Sequence, residues 1–413
     1  MAMVKPELLC PAGDRECLEA AVQYGADAVY LGAKTFGMRA AAKNFDIPQI
    51  QSAVEHAHAN GVKVYLTVNV LPRNRELDAF PAFIKDVQAC GVDAVIAADL
   101  GVITKIREIT PDLPIHASTQ TGVVNYATAT ALWNMGCERV VLAREMSVEE
   151  IAELRAKTPQ ELELEAFVHG AMCMSISGRC LLSEYLTGRD ANRGACAQSC
   201  RWKYALMEEK RPNQFFPIGE DEDGSYILNA KDLCMAEHLE TLAKAGISSF
   251  KIEGRAKAAY YVAGVANAYR MAMDCVFGKP KMDVPAWVFD ELDKVSHRPY
   301  TTGFFFGQPS DSIHNATASY VRNYDVVGIV QRTDSGRMYV SQRNRFFAGD
   351  TLEILAPYSE PITISVSDLQ DGEGNVIEAA NHAVMDCSMA YDGKELPKGA
   401  FLRKKVEESQ TGA

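Results

Sequence analysis

Residues 169–204 read HGAMCMSISGRCLLSEYLTGRDANRGACAQSCRWKY, and four of the chain's eleven cysteines, Cys173, Cys180, Cys196 and Cys200, fall inside this one stretch. Their spacing is C-x6-C-x15-C-x3-C. Structural zinc takes four thiolates or imidazoles, usually from paired knuckles of two to four intervening residues. Only Cys196 and Cys200 meet that spacing. Iron–sulfur clusters also take four thiolates, with wider variation in spacing, although the ferredoxin runs are absent here. The bland alternative is four buried thiols acting as small hydrophobes. Polar neighbours (Ser175, Ser177, Arg179, Asp190, Asn192 and Arg193) speak against a core. A metal or cluster site is therefore the favoured reading. Cys10, Cys17, Cys90, Cys137, Cys275 and Cys387 are scattered and read as structural, whereas Cys234, in NAKDLC, is near enough in sequence to substitute as a ligand.

Compartment bears on this choice. The start, MAMVKPELLC, has no apolar secretory core, and no run of about 18 apolar residues exists to cross a membrane. A cytoplasmic chain is expected. In that reducing setting clustered cysteines bind metals or react rather than forming lasting disulfides. A net charge of -12 excludes whole-surface electrostatic binding of nucleic acid. The cysteine stretch is locally basic, however: Arg179, Arg189, Arg193, Arg201 and Lys203 face only Glu184 and Asp190. Either a solvated loop or an RNA contact fits that charge, with Arg201, Trp202, Lys203 and Tyr204 suited to phosphate contact and base stacking.

Hydrolytic signatures are missing: there is no H-E-x-x-H and no G-x-S-x-G. His169 precedes the first cysteine, so a Cys173–His169 nucleophilic pair is conceivable. The bland reading of such a histidine is a core or hydrogen-bonding residue.

The elements that must position these groups follow a recurring pattern. A helix-like segment ends in glycine and a short apolar run follows, in YGADAVYLG (24–32), NGVKVYLTVN (60–69), CGVDAVIAAD (90–99), MGCERVVLARE (135–145) and AGISSFKIEGR (245–255). Glycine fits the left-handed position that ends a helix, and the β-branched run fits a buried parallel strand. Eight strands are predicted, at 7–11, 28–32, 63–69, 94–98, 115–119, 139–143, 163–168 and 249–254. Eight βα units predict an α/β (β/α)8 TIM-like barrel. A doubly wound sheet is the runner-up, without the G-x-G-x-x-G it would favour. The link between the seventh and eighth strands is far longer than an ordinary loop and carries the cysteines, with YILN (226–229) as an extra strand and CMAEHLETLAKAG as a helix. Domain boundaries are expected at 1–318 for the barrel with a cysteine-rich insertion at 169–225, and at 319–405 for a small all-β barrel. A disordered tail (406–413) would follow.

Active sites of this fold lie at the C-terminal ends of the strands. The polar residues predicted there are Arg39 and Asn44, Asn69, Asp99, Gln120 and Asn125, Arg144 and Glu145, Glu165, and Lys251, Glu253 and Arg255. One reading is a self-satisfied network, such as Arg144 with Glu253. The other is a pocket for an anionic small molecule, since arginine grips carboxylates with two parallel hydrogen bonds. In the second reading Arg39, Asn69, Gln120, Arg144, Lys251 and Arg255 bind the molecule, and His169, Arg39, Arg144 and Glu253 are the candidates for catalysis.

The run EAFVHGAMCMSISGRCLLSEYLTGRDANRGACAQSCRWKY resembles the signature of the collagenase-like peptidase family of unassigned mechanism. ELLCPAGDRECLEAAVQYGADAVYLG, the KDL of NAKDLC, SSFKIEGR and HRPYTTGF match further segments, so the resemblance spans nearly the whole chain. The resemblance implies a [4Fe-4S] cluster on Cys173, Cys180, Cys196 and Cys200. It further implies, through the family's hydroxylating members, prephenate-dependent conversion of the wobble uridine of tRNA to 5-hydroxyuridine. Prephenate is a dianion and suits a cationic barrel mouth. Other members act on ribosomal RNA or in quinone hydroxylation. Proteolysis, by metal-activated water or by Cys173, stays open as an alternative, as does a zinc-stapled RNA-binding protein. A partner subunit that completes the enzyme is also open.

Overall fold

The computed structural model describes residues 5–37, 43–172, 182–191, 195–199, 202, 206–207, 215–216, 220–221, 224–225, 231–307 and 320–406. Eight parallel strands form its centre: Glu7–Pro11, Ala28–Gly32, Lys63–Val68, Ala94–Ala97, Ile115–Ala117, Arg139–Val141, Glu163–Ala171 and Ser249–Ile252. Each pairs with the next in chain order, and the eighth pairs in parallel with both the seventh and the first, which closes the barrel. All eight predicted strands are present. The fifth, sixth and eighth each end two residues earlier than predicted because the chain turns away at the mouth. After the fifth, Ser118 caps a short turn, Thr119–Thr121, by accepting the Gln120 N–H.

Local chemistry explains the helices between the strands. Asp14, Asp46, Asp99, Asn125 and Ser147 each accept a backbone N–H at a helix start, and Asp46–Gln49 and Ser147–Glu150 form complete capping boxes. The glycine closing each recurring unit has positive φ, 102° at Gly25 and 103° at Gly246, a conformation in which a Cβ is strained. The nineteen-residue helix Ala259–Phe277 returns from the eighth strand and is buried on most sides, against the barrel's first helix, Arg15–Gln23.

The seventh strand runs three residues beyond its predicted end. A short strand, Asp232–Cys234, returns antiparallel along that extension, pairing Asp232 with Ala171, Leu233 with Gly170 and Cys234 with His169. Tyr300–Thr301 pairs in parallel on its far side. The predicted strand YILN lies outside the described residues; the returning strand begins just after it. Residues Leu182–Thr187 are helical.

The C-terminal region is an antiparallel half-barrel of seven strands, in the order Ile362–Ser365, Thr351–Leu355, Phe401–Lys405, Tyr324–Asp334, Arg337–Gln342, Asp386–Ala390 and Gln370–Asp371. The sequence reads five of these as strand-like pieces, in SYVRNYDVVGIVQR, RMYVSQRN, DTLEILAP, PITISVSDL and GAFLRKK. Asp386–Ala390 escapes a hydropathy reading because polar residues punctuate it, yet Cys387 and Met389 are buried.

One buried arginine holds the half-barrel to the barrel. Arg403 is 0% exposed. Its guanidinium donates to Glu291 Oε1 at 2.6 Å and Oε2 at 2.7 Å, to Glu353 Oε2 at 2.6 Å and to the Tyr260 hydroxyl at 3.2 Å. Lys294 adds contacts of 3.0 Å to both carboxylates. Removing one member of a buried pair strands the other charge, at roughly 3–5 kcal/mol. Arg403→Ala is therefore expected to lower urea stability by about 3–5 kcal/mol. The double change Arg403→Met with Glu291→Leu should recover much of that loss, because no buried charge is then left alone. Fluorescence of Trp287, on the adjoining helix Ala286–Asp293, would follow the unfolding.

Candidate active site

Polar side chains inside the barrel sort into two levels. The lower level lies at the strand starts. Arg139 reaches Glu7 at 2.7 Å and Glu165 at 3.1 Å, and also pairs with Glu163. Lys251 pairs with Glu165 at 2.8 Å and lies 4.5 Å from the Tyr30 ring centroid. Tyr65 donates to Glu7 at 2.6 Å and Ser249 donates to Glu7 at 3.0 Å. Burial alone would raise the Glu7 carboxyl, but the Arg139 charge and these hydrogen bonds outweigh it and hold the group below the ordinary glutamate range. Glu165 and Lys251, predicted at the mouth, thus belong to this closed network.

The upper level is the mouth. Arg144 donates to the Ala171 carbonyl at 2.8 Å, lies 3.9 Å from the Phe167 ring centroid and stands 3.6 Å from Glu253. Its Nε is buried and has no hydrogen-bond partner among the described residues. Arg255 donates to the Thr67 hydroxyl at 2.6 Å. The amide of Asn69 donates to Gln120 at 2.9 Å. The structure thus arranges Asn69, Gln120, Arg144, Glu253 and Arg255 around the strand ends. Arg39 lies outside the described residues. Asp99 and Asn125 serve as helix caps. Thr67 and Phe167, which position the two arginines, went unnoticed in the sequence because each reads as an ordinary strand residue.

His169 sits on the far side of the seventh strand, beneath the returning strand. Its ring lies among Tyr261, Tyr269 and Tyr300, at centroid distances of 6.1, 5.4 and 5.3 Å. Nδ1 is 3.4 Å from the Tyr269 hydroxyl, which itself donates to the Val168 carbonyl at 2.7 Å. Burial, with the nearby His297 and Lys257 charges adding to it, pushes the imidazole down to about 3. A histidine so reluctant to take a proton is a poor general base near neutrality, which weakens the Cys173–His169 pair. Cys234 lies across from His169, and burial pushes its thiol up to about 11. The six scattered cysteines are all buried, in keeping with a structural role.

Of the four clustered cysteines, Cys173, Cys180 and Cys200 lie outside the described residues. Cys196 is exposed, and its sulfur accepts the Gln198 N–H at 3.3 Å. The Ser183 hydroxyl braces this loop, donating to the Arg189 carbonyl at 2.7 Å and accepting the Ala197 N–H at 2.9 Å. Trp202 is 43% exposed. Among the described residues no helix is long and apolar enough to cross a membrane.

Residues 13–315 match the profile of peptidase family U32, and residues 322–403 match the U32 C-terminal domain. The chain belongs to peptidase family U32. The resemblance read from the cysteine stretch is correct at that level. Similar U32 relatives carry different names. A tRNA hydroxylation protein P1 of Bacillus subtilis (strain 168) is 38% identical over 407 residues, covering 97% of this chain and 95% of the relative. An uncharacterised protease of Methanocaldococcus jannaschii is 44% identical over 307 residues, covering 74% of each. The 23S rRNA 5-hydroxycytidine C2501 synthase of Escherichia coli (strain K12) is 36% identical over 270 residues, covering 65% of this chain and 39% of the relative.

The buried histidine gives this U32 chain a specific pH response. Between about 3 and the unfolded value near 6.5, the unfolded chain holds more protons at this position than the folded one, so stability falls as pH drops through that window. In His169→Gln this contribution is absent. Urea stability measured from pH 7.5 to 4.5 should show the wild type losing about 1.4 kcal/mol per pH unit more than the variant below 6.5.

Proposed function

We propose that this U32 protein is an RNA hydroxylase of the cytoplasm whose substrate is tRNA, and that it converts the wobble uridine to 5-hydroxyuridine. The similarity to the Bacillus subtilis tRNA hydroxylation protein carries the reading, because it extends over 97% of the chain and so includes both the barrel and the half-barrel. The similarity to the ribosomal RNA synthase stops at 65% of the chain, which favours tRNA over ribosomal RNA as the substrate. The protease name of the archaeal relative keeps proteolysis as a second reading, against which stand the missing hydrolase motifs and the proton-averse His169.

In this proposal Cys173, Cys180, Cys196 and Cys200 hold a [4Fe-4S] cluster. The exposure of Cys196 and the backbone N–H directed at its sulfur fit a thiolate ligand. When bound, the cluster supplies one-electron chemistry. Prephenate binds at the mouth. The buried Nε of Arg144, without a partner among the described residues, fits a carboxylate ligand, and Arg255, Asn69 and Gln120, with Arg39, complete the grip. Glu253 holds Arg144 in place until the dianion competes for it.

Three measurements test these assignments. Protein purified without oxygen should contain about four irons and four sulfides per chain, and a Cys173→Ala variant should lose both. Zinc alone would defeat the cluster. Nucleoside analysis of tRNA from a deletion strain should show no 5-hydroxyuridine, restored by the wild-type gene; unchanged tRNA would defeat the function. Arg144→Gln should weaken prephenate binding by roughly 10- to 100-fold, the effect of losing a charge-assisted hydrogen bond, with urea stability nearly unchanged.

A further inference from the structure

We infer that a cleft beside the mouth, outside the barrel lumen, receives the target pyrimidine base after it leaves the RNA stack. The inference rests on the RNA reading above and names the part of the protein that would hold the base.

The cleft measures about 560 Å3, and its walls include Lys231, Cys234, Glu237, His238, Asp293, Tyr300 and Phe306. That volume lies within the roughly 300–1,000 Å3 of ordinary small-ligand pockets. Its position is fixed by three elements. The returning strand Asp232–Cys234 forms one side and is paired to the end of the seventh barrel strand. The segment 300–307 forms another and is tied to the rim of the barrel, where Phe305 O accepts the Val148 N–H at 2.9 Å. At the base, a Cβ placed on Gly303 would meet Leu233 Cδ1 at 3.2 Å and Met172 Cε at 3.5 Å. Met172 immediately precedes Cys173. Gly303 lines the cleft and Met172 packs behind it, so the cleft wall stands next to the residue that leads into the cysteine stretch, where the chemistry is proposed to occur.

The lining suits a base better than an anion. Phe306 is 51% exposed, although it is held in a tight turn and meets His238 edge-on at a centroid distance of 4.7 Å. A rigid, exposed aromatic ring in a cleft wall is a stacking platform, and protein–RNA readers use such rings on unstacked bases. The ionisable groups are Glu237 and Asp293 against Lys231, with His238 beside them. Two carboxylates would repel prephenate. They would accept the ring N–H of a uracil, while Lys231 Nζ and the hydroxyls of Thr301 and Thr302 could donate to its two carbonyl oxygens. The mouth and the cleft thus divide the work by charge: arginines hold the dianion, and mixed polar groups with an aromatic ring hold the base. Enzymes that act on a base in structured nucleic acid extrude it into such a pocket.

The test uses the full-length protein and an anticodon stem-loop RNA with 4-thiouridine at the wobble position. Filter retention measures binding, and irradiation followed by peptide mapping locates the base. Crosslinks in peptides spanning 231–238 or 300–307 are expected. Phe306→Ala should cut crosslink yield about tenfold or more, with overall retention falling less than threefold, because phosphate contacts dominate RNA affinity. Phe306→Trp should keep the yield. If the wild type retains RNA but crosslinks only elsewhere, or if Phe306→Ala leaves the yield unchanged, the pocket assignment is overturned and the RNA reading stands. If the wild type retains no RNA, both fall.

Discussion

The pairing of Glu165 with Arg139 and Lys251 inside the barrel sets the terms for everything above it. Glu165 is fully buried, and its two cations come from the neighbouring sixth and eighth strands. Each of these ions would cost several kcal/mol in a dry interior without its partners. Glu7 extends the network to the first strand, across the seam where the barrel closes. Shifting any of these strands by one residue would move its charged group out of the lumen and leave the others uncompensated. The network thereby fixes register, and register fixes which residues emerge at the mouth: Phe167 two positions above Glu165, and Glu253 and Arg255 above Lys251.

Three arginines show how the protein separates scaffolding from binding. Arg139 and Arg403 are buried and saturated, each meeting carboxylates at 2.7 Å or closer. Arg144 meets its carboxylate only at 3.6 Å and keeps a buried donor without a partner among the described residues. In the first two cases Coulomb attraction and good hydrogen-bond geometry offset desolvation within the protein. In the third the compensation is incomplete, and an anionic ligand would complete it. The contrast lies in distances rather than residue type.

The barrel was legible in the sequence because its signal is local and repeated. A glycine that ends a helix and a β-branched run that must be buried recur five times, and each marks a real strand. The returning strand was not legible: three residues carry too little periodicity to announce a strand, and Asp232–Cys234 owes its conformation to pairing with the seventh strand. The height of a side chain within the lumen was equally hidden. Glu165 and Lys251 looked like mouth residues, but their ion pair, together with Arg139, ties them into the buried network below. Asp99 and Asn125 were read as site residues when local hydrogen bonding makes them helix caps. Phe306 was passed over because FFFG looks like a joint. Its exposure emerges only when the segment is tied to the rim at Val148.

The short returning strand has a consequence for how this architecture can change over time. The insertion leaves the barrel at Ala171 and rejoins it at Asp232, and these two residues are direct partners in the sheet. Its ends are thus clamped about one strand spacing, roughly 4.8 Å, apart. The entropy of closing a loop rises only logarithmically with length, about 0.6 kcal/mol for each doubling. Residues can therefore be added to or removed from the cysteine-bearing segment at small thermodynamic cost, without disturbing the barrel register. The clamp lets the segment between Ala171 and Asp232 change in length while the barrel that carries it keeps its register.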